Sequence, residues 1–129
     1  APQAAVRGSC CCGAVSAMVP SPLRRPVDCH CGQCRRLSGA AHTTWITAAR
    51  RHTELNGAEH LSAFDATPNV KRHFCRRCGC HVYTEDSRLP ADFGMPAGLF
   101  EGCDIEAPKR EYFLEDKAPW AESRARYMP

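Results

Sequence analysis

Clustered cysteines are the feature that most constrains the fold of this chain, which places ten of them in 129 residues. The central cluster holds three thiols, Cys29, Cys31 and Cys34, within six residues. In an extended segment alternate side chains share a face, so Cys29 and Cys31 project together while His30 points away. A tight turn between Cys31 and Cys34 then brings the third thiol onto the same ion. The pattern predicts a metal site with three thiolate ligands.

The two outer clusters predict a second metal site. Cys75 and Cys78 have the Cys-x-x-Cys spacing of a zinc knuckle, which needs two further ligands. Cys10 and Cys12 lie on one face of a strand-like segment and would supply them. A closed site with four protein ligands is structural, whereas a site with three keeps a place for water or substrate. The outer and the central clusters are therefore expected to have separate roles.

A secreted protein held together by disulfides is the alternative explanation for so many cysteines. Residues 1–7 lack the apolar stretch of a signal peptide, and no run approaches the length of a membrane span. Cysteines at metal-ligand spacing, separated by ordinary sequence, favour zinc in a reducing compartment. We therefore expect zinc as the cofactor, with two ions per chain, a cytoplasmic location and no membrane partner. The three-ligand ion is expected to be the more labile of the two.

Motifs spread along nearly the whole chain, from residue 8 to residue 120, resemble those of one enzyme family. The motifs that carry the resemblance are Gly8-Ser9-Cys10, Cys12-Gly13-Ala14-Val15, Cys29-His30-Cys31, Cys34-Arg35, Ser38-Gly39-Ala40, Arg72-His73-Phe74-Cys75, Cys78-Gly79 and Lys117-Ala118-Pro119-Trp120. The family is that of the glutathione-dependent formaldehyde-activating enzymes, whose relatives include the centromere protein V group. The three cysteine clusters in this order are much more specific than any one of them alone.

The resemblance implies a small, mainly β fold with little helix, in which zinc-stapled sheets surround two zinc sites. It implies that Cys10, Cys12, Cys75 and Cys78 hold a structural zinc. It also implies a catalytic zinc, whose three ligands are the central ones, Cys29, Cys31 and Cys34. The activity implied is that of a carbon–sulfur lyase, the reversible condensation of formaldehyde with glutathione to S-(hydroxymethyl)glutathione. The expected partners are therefore a small thiol and an aldehyde.

The charge balance excludes a strong binder of polyanions. Lys and Arg number 17 against 14 Asp and Glu, a formal net charge of +3, so nucleic acid is not an expected partner. Basic pairs recur along the chain and are typical of solvated surface. The pair Arg35 and Arg36 is the exception, because it adjoins the central cluster and is placed to bind the carboxylates of an acidic thiol such as glutathione.

Local patterns predict one domain over residues 1–129, with a loose arm at residues 1–7. Residues 14–19, 42–47 and 81–84 have strand character, and residues 111–115 form a final strand. Strands over residues 60–66 and 70–74 form a hairpin that delivers Cys75 to its zinc. The best short helix follows Cys34, and Trp120 caps the core.

Residues 89–102 contain several prolines and glycines and predict a long loop. Phe93, Met95 and Phe100 are either walls of a substrate pocket on that loop or ordinary core residues. His42 lies near the central cluster and is a candidate for a fourth ligand or a proton carrier, although the resemblance places no functional residue there.

Two other functions remain open from the sequence. If His30, His42 or Cys80 completes the central site, the chain is a zinc-stapled binding module that contacts a chromatin or cytoskeletal partner. If the spare thiols react, it is a thiol-redox or metal-handling protein. Cys11, Cys80 and Cys103 are departures from the family pattern, and Phe100-Glu101 and Glu111-Tyr112 replace other residue pairs of the family. These departures bear on glutathione specificity more than on the fold.

Overall fold

The computed structural model describes residues 5–102 and 105–122. In these ranges the chain forms ten strands and one α-helix, α1, over Gly32–Ser38. The strands are Ala5–Ser9 (β1), Ser16–Pro20 (β2), Arg24–Cys29 (β3), Thr43–Ala49 (β4), Glu54–Asn56 (β5), Leu61–Asp65 (β6), Val70–Cys75 (β7), His81–Asp86 (β8), Asp92–Pro96 (β9) and Arg110–Tyr112 (β10). Short 3₁₀ turns occupy Arg50–His52, Ala58–His60, Ala97–Leu99, Leu114–Asp116 and Pro119–Glu122. The mainly β fold with little helix is confirmed.

The strands form two sheets. The larger sheet has seven strands in the order β10-β3-β4-β9-β8-β7-β6, and the smaller has the order β1-β2-β5. All pairs are antiparallel except β10 with β3, which is parallel. The predicted hairpin is confirmed as β6 and β7, whose register pairs Leu61 with Cys75. The hairpin therefore ends at the first cysteine of the knuckle.

The core lies where alternate side chains of the two sheets meet. In β2 the buried positions are Ala17 and Val19, as the period of two in an extended chain requires. The same alternation buries Phe93 and Met95 in β9. The prediction of one long loop over residues 89–102 is therefore wrong, because its middle is a strand that hydrogen-bonds to both β4 and β8. Phe93, Met95 and Phe100 are core residues.

Two further predictions on the ends of the chain need correction. A loose arm at residues 1–7 is wrong for residues 5–7, which begin β1 and pair with β2, while residues 1–4 lie outside the described ranges. The final strand ends at Tyr112, since Phe113 adopts a positive φ and a 3₁₀ turn follows it. In the part of the chain that the structure describes, no helix is long and apolar enough to cross a membrane.

Candidate metal centres

The four outer cysteines converge into what we call the knuckle cluster, Cys10, Cys12, Cys75 and Cys78. Its sulfur atoms all lie within 4.8 Å of one another. The Cys12 sulfur lies 3.7 Å from the sulfurs of both Cys10 and Cys75. Four thiolates about 2.3 Å from one zinc ion in a tetrahedron would lie about 3.8 Å apart. The donor set and its spacing therefore fit a closed zinc site.

Backbone turns position these sulfurs. Cys10 and Cys12 lie in the turn between β1 and β2, not on a strand as predicted, because the N–H of Gly13 bonds the carbonyl of Cys10. The Cys10 sulfur accepts the N–H of Val15 at 3.3 Å. On the opposite side, the turn after β7 is closed by the N–H of Gly79 on the carbonyl of Cys75. Local hydrogen bonds thus position each half of the cluster.

The pKa values of the knuckle thiols diverge, as expected for close sulfurs that share negative charge. Burial opposes ionisation of Cys78, yet backbone N–H groups of Cys80 and Cys12 and the neighbouring thiols lower its pKa to about 6. The N–H of Ala14 lowers the pKa of Cys12, but burial and the neighbouring sulfurs outweigh it and raise the value to about 11. A cation is needed to hold all the thiolates together.

The central cysteines form what we call the triplet cluster, Cys29, Cys31 and Cys34, whose sulfurs also lie within 4.8 Å of one another. Cys29 ends β3, and Cys31 is the N-cap of α1, where its sulfur accepts the N–H of Cys34 at 3.3 Å. The predicted turn between Cys31 and Cys34 is in fact the first turn of that helix, which starts before Cys34 rather than after it. The helix therefore presents Cys34 to the other two sulfurs.

Burial also separates the pKa values within the triplet cluster. Burial and the two neighbouring thiols raise the pKa of Cys34 to about 12, against a lowering contribution from a hydrogen bond with Trp45. Burial raises the pKa of Cys29 as well. For Cys31 burial acts in the same direction, but the hydrogen bonds from Cys34 and Cys29 lower the pKa below its ordinary value. Three adjacent thiolates therefore require a cation, and the cluster can hold a metal ion.

No fourth ligand joins the triplet cluster among the His, Cys, Asp and Glu side chains of residues 5–102 and 105–122. His30 is 2% exposed, and its Nε2 lies 3.0 Å from Glu111 Oε1, while its Nδ1 is buried without a partner. His42 Nε2 lies 3.4 Å from Asp28 Oδ1. Cys80 lies beside the knuckle cluster and its Sγ contacts the carbonyl of His81. The triplet cluster thus offers three protein ligands.

A small open pocket of about 320 Å³ lies beside α1, on the side of the two predicted substrate residues. Arg35 and Arg36 line it together with Trp120. Arg35 donates to the carbonyl of Asp116 at 3.0 Å, which ties α1 to the C-terminal turns. Trp120 is 59% exposed, so the prediction that it caps the core is wrong, and Ala118 is the buried residue of that motif.

No functional role is assigned in the sequence analysis to Arg72 or to the side chains that it contacts. Arg72 is 7% exposed and donates to Gln33 Oε1 through Nε at 3.0 Å and through a terminal nitrogen at 2.6 Å. Its guanidinium lies 5.5 Å from the ring centre of Trp45, which contacts the Cys34 thiol. The motif Arg72-His73-Phe74-Cys75 pointed to the position, but Gln33 lies 39 residues away and no local pattern joins the two.

Comparisons with known proteins agree with this architecture. The family model described as "Glutathione-dependent formaldehyde-activating enzyme" matches residues 5–116. A protein of Halomonas elongata named "Putative glutathione-dependent formaldehyde-activating enzyme" is 32% identical over 129 residues, covering 94% of this chain and 82% of that protein. A crystal structure of a Rhodobacter sphaeroides protein has a TM-score of 0.64 at 27% identity, covering 76% of this chain and 90% of that chain. The chain belongs to the family of glutathione-dependent formaldehyde-activating enzymes.

Proposed function

We propose that the chain is a zinc-dependent carbon–sulfur lyase that interconverts S-(hydroxymethyl)glutathione with formaldehyde and glutathione. In the direction of synthesis, the thiol sulfur bonds to the carbonyl carbon, and the thiol proton ends on the carbonyl oxygen. The observation that carries the proposal is the triplet cluster, in which three sulfurs converge and no fourth ligand joins them among the described residues. Membership of the family supports the choice of thiol and aldehyde.

The two clusters have different parts in this proposal. Cys29, Cys31 and Cys34 would hold the catalytic zinc, and the knuckle cluster would hold the structural one. Three protein ligands would leave a position for the substrate thiol, and zinc held there would lower the pKa of that thiol, so that thiolate would be available at neutral pH. Two sets of ligand thiols need a reducing environment, which supports a cytoplasmic location.

The basic pocket beside α1 is the proposed site for the rest of the thiol substrate. Arg36 is exposed there, while Arg35 is half-buried and already donates to Asp116. A guanidinium binds carboxylates in a fixed, two-pronged geometry, and glutathione carries two carboxylates. Trp120 adds an apolar wall to the same pocket. The pocket thus orients the thiol, and the arginines act by binding rather than by exchanging protons.

The proposal is tested by magnetisation-transfer NMR, which measures exchange between free glutathione and S-(hydroxymethyl)glutathione in a formaldehyde mixture. The protein is reduced and loaded with zinc. Exchange is expected to be faster than in the protein-free mixture, and Cys31→Ser is expected to return it to that background. Serine is a suitable comparison because it is a preferred N-cap residue, so α1 keeps its start.

Cys80→Ser is the matched control, since Cys80 is a half-buried thiol outside both clusters. Its exchange rate should equal that of the unmodified protein. Background exchange by a protein that holds two zinc ions would show that the substrate pair is wrong. Full exchange by Cys31→Ser would show that the triplet cluster is not the site.

A binding module without catalysis is the second candidate, and one observation favours it. Tyr112, Phe113 and Leu114 are about half exposed in succession, at 47%, 53% and 50%. They lie at and just after β10, which is an edge of the larger sheet. Exposed apolar runs of this kind occur where proteins meet partners. Pull-down of a chromatin or cytoskeletal protein that depends on Phe113, by a chain inactive in the NMR assay, would favour this function.

A further inference from the structure

Arg72 is a buried cation without an acidic partner in the described part of the chain. Its hydrogen-bond acceptors are the neutral oxygens of Gln33 and Thr84, and its ring contact is with Trp45. A buried charge is costly unless a charge of opposite sign lies near it. Structures therefore place such a guanidinium where an anion is present, and the described side chains supply no carboxylate here.

Two of the residues that Arg72 contacts also adjoin the triplet cluster. Gln33 is the residue before Cys34 in the first turn of α1, and it accepts two of the three hydrogen bonds from the guanidinium. Trp45 lies between the guanidinium and the Cys34 thiol and contacts both. Arg72 is therefore connected to the triplet cluster through two neighbouring side chains, Gln33 and Trp45.

The triplet cluster supplies the missing negative charge when it holds its metal. Three thiolates and one divalent ion sum to one negative charge, and a bound substrate thiolate adds another. We propose that Arg72 is the positioning residue that compensates this charge through Gln33 and Trp45, and so sets the metal affinity of the triplet cluster. This inference rests on the part of the proposed function that assigns zinc to the triplet cluster, and it does not depend on the substrate.

Zinc binding without thiol or aldehyde substrate tests the inference separately from catalysis. Competition with a chromophoric chelator measures the affinity of each zinc, and Cys31→Ser identifies which of the two belongs to the triplet cluster. In Arg72→Met the triplet zinc is expected to bind about 10- to 100-fold more weakly, the usual range when an outer partner of a metal ligand is removed. The knuckle zinc should be unchanged, and Arg72→Lys should recover part of the affinity because it keeps the charge.

Arg50→Met is the matched control. Its guanidinium also lies over an aromatic ring, 4.8 Å from the centre of Phe93, but it pairs with Glu85. Loss of this cation should leave both zinc affinities unchanged. Equal weakening by Arg50→Met would overturn the inference, since net charge alone would then explain the effect of Arg72.

The variant Gln33→Glu distinguishes charge compensation by Arg72 from simple packing of its side chain. It can be used even if Arg72→Met does not fold. The change keeps the shape and gives Arg72 a carboxylate partner in the first turn of α1, where a negative charge is favourable. If Arg72 only packs, the thermal midpoint is kept or raised and zinc affinity is unaffected. If Arg72 compensates the cluster, the triplet zinc binds at least about tenfold more weakly at an unchanged midpoint. Wild-type affinity in Gln33→Glu would overturn the inference.

Discussion

The knuckle and triplet clusters both gather cysteine sulfurs, but the chain builds them in opposite ways. The knuckle cluster joins Cys12 to Cys75, which are 63 residues apart, and so connects the smaller sheet to the larger one. The triplet cluster lies within a single strand-to-helix connection. A metal in the knuckle cluster therefore closes the fold, whereas a metal in the triplet cluster binds a site that the fold already holds. We therefore expect the loss of a ligand to cost more stability in the knuckle cluster than in the triplet cluster.

The largest expected effect comes from breaking the knuckle cluster. Cys75 is fully buried, and Cys75→Ser removes one of four ligands from the site that links the two sheets. Because metal binding in such a site contributes directly to folding, the free energy of unfolding should fall by more than about 4 kcal/mol. Urea unfolding in the presence of zinc measures this. Cys31→Ser, which removes one ligand of the triplet cluster, should lose its zinc with a smaller fall in the free energy of unfolding than Cys75→Ser. Equal destabilisation by the two variants would remove the distinction between the clusters.

Substitutions at two glycines test the same comparison without changing any of the clustered cysteines. Gly57 has a φ of +80°, and a methyl group there would collide with the backbone carbonyl of Ala14, in the loop that carries Cys10 and Cys12. Gly57→Ala should therefore cost more than about 3 kcal/mol. Gly39 has a φ of +67° at the end of α1, with open space around it. Gly39→Ala meets only the backbone strain and should cost about 1 kcal/mol. Thermal unfolding of the two variants measures which substitution costs more stability. A larger cost for Gly39→Ala than for Gly57→Ala would contradict this comparison of the two clusters.

Sequence reasoning worked best where the information was local or where spacing implied chemistry. The cysteine spacings led to the two sets that converge, and turn residues located the β6–β7 hairpin. The roles of these cysteines and of Arg35 and Arg36 stay predictions. Cys103 lies outside the described residues. On a strand, Cys11 would face away from Cys10 and Cys12 and is then expected to be a buried small apolar residue. That expectation is wrong, because Cys11 is exposed in the turn that carries Cys10 and Cys12.

The failures came from contacts between distant segments. Gly94 and Pro96 are typical of loops, yet both lie in β9, because pairing with β4 and β8 outweighs their local preference. The early start of α1 was missed because a cysteine thiol serves as its N-cap, a role usually given to Ser, Thr, Asp or Asn. The bonds of Arg72 to Gln33 join β7 to α1, and no pattern along the chain specifies them.

The shifted pKa of His81 predicts that the stability of the protein depends on pH. Its ring lies 5.2 Å from that of Trp45, and it begins the strand after the knuckle. Burial, with Arg72 and His73 as lesser causes and the Tyr83 carbonyl opposing, lowers the pKa of His81 to about 4 from its ordinary 6.5. The unfolded chain therefore binds the extra proton first, and stability present above pH 6.5 is lost as the pH falls towards 4. Between pH 7 and pH 5 this loss should be about 2 kcal/mol.

The matched variant for this prediction is His81→Gln, which can keep a hydrogen bond to Thr84 or Tyr83 and cannot gain the proton. Urea unfolding at the two pH values, with zinc in excess, gives the loss for each protein. Acid also weakens thiolate–zinc bonds, but it does so in both proteins, so the difference between them isolates His81. An equal loss in the two proteins would show that His81 is not held neutral.

The smallest effect on stability is expected at the basic pocket beside α1. Trp120 is more than half exposed beside Arg35 and Arg36, so Trp120→Ala should change the free energy of unfolding by less than about 0.5 kcal/mol. Leu89, which is 62% exposed, lines neither cluster nor the basic pocket, and Leu89→Ala should be equally mild.

The two variants should differ in the NMR exchange assay, where only Trp120→Ala loses a wall of the proposed thiol pocket. Its KM for glutathione should rise about fivefold with kcat retained, as expected when binding worth about 1 kcal/mol is lost equally from the ground and transition states. If Trp120→Ala instead unfolds readily, Trp120 belongs to the core and the basic pocket has no such wall.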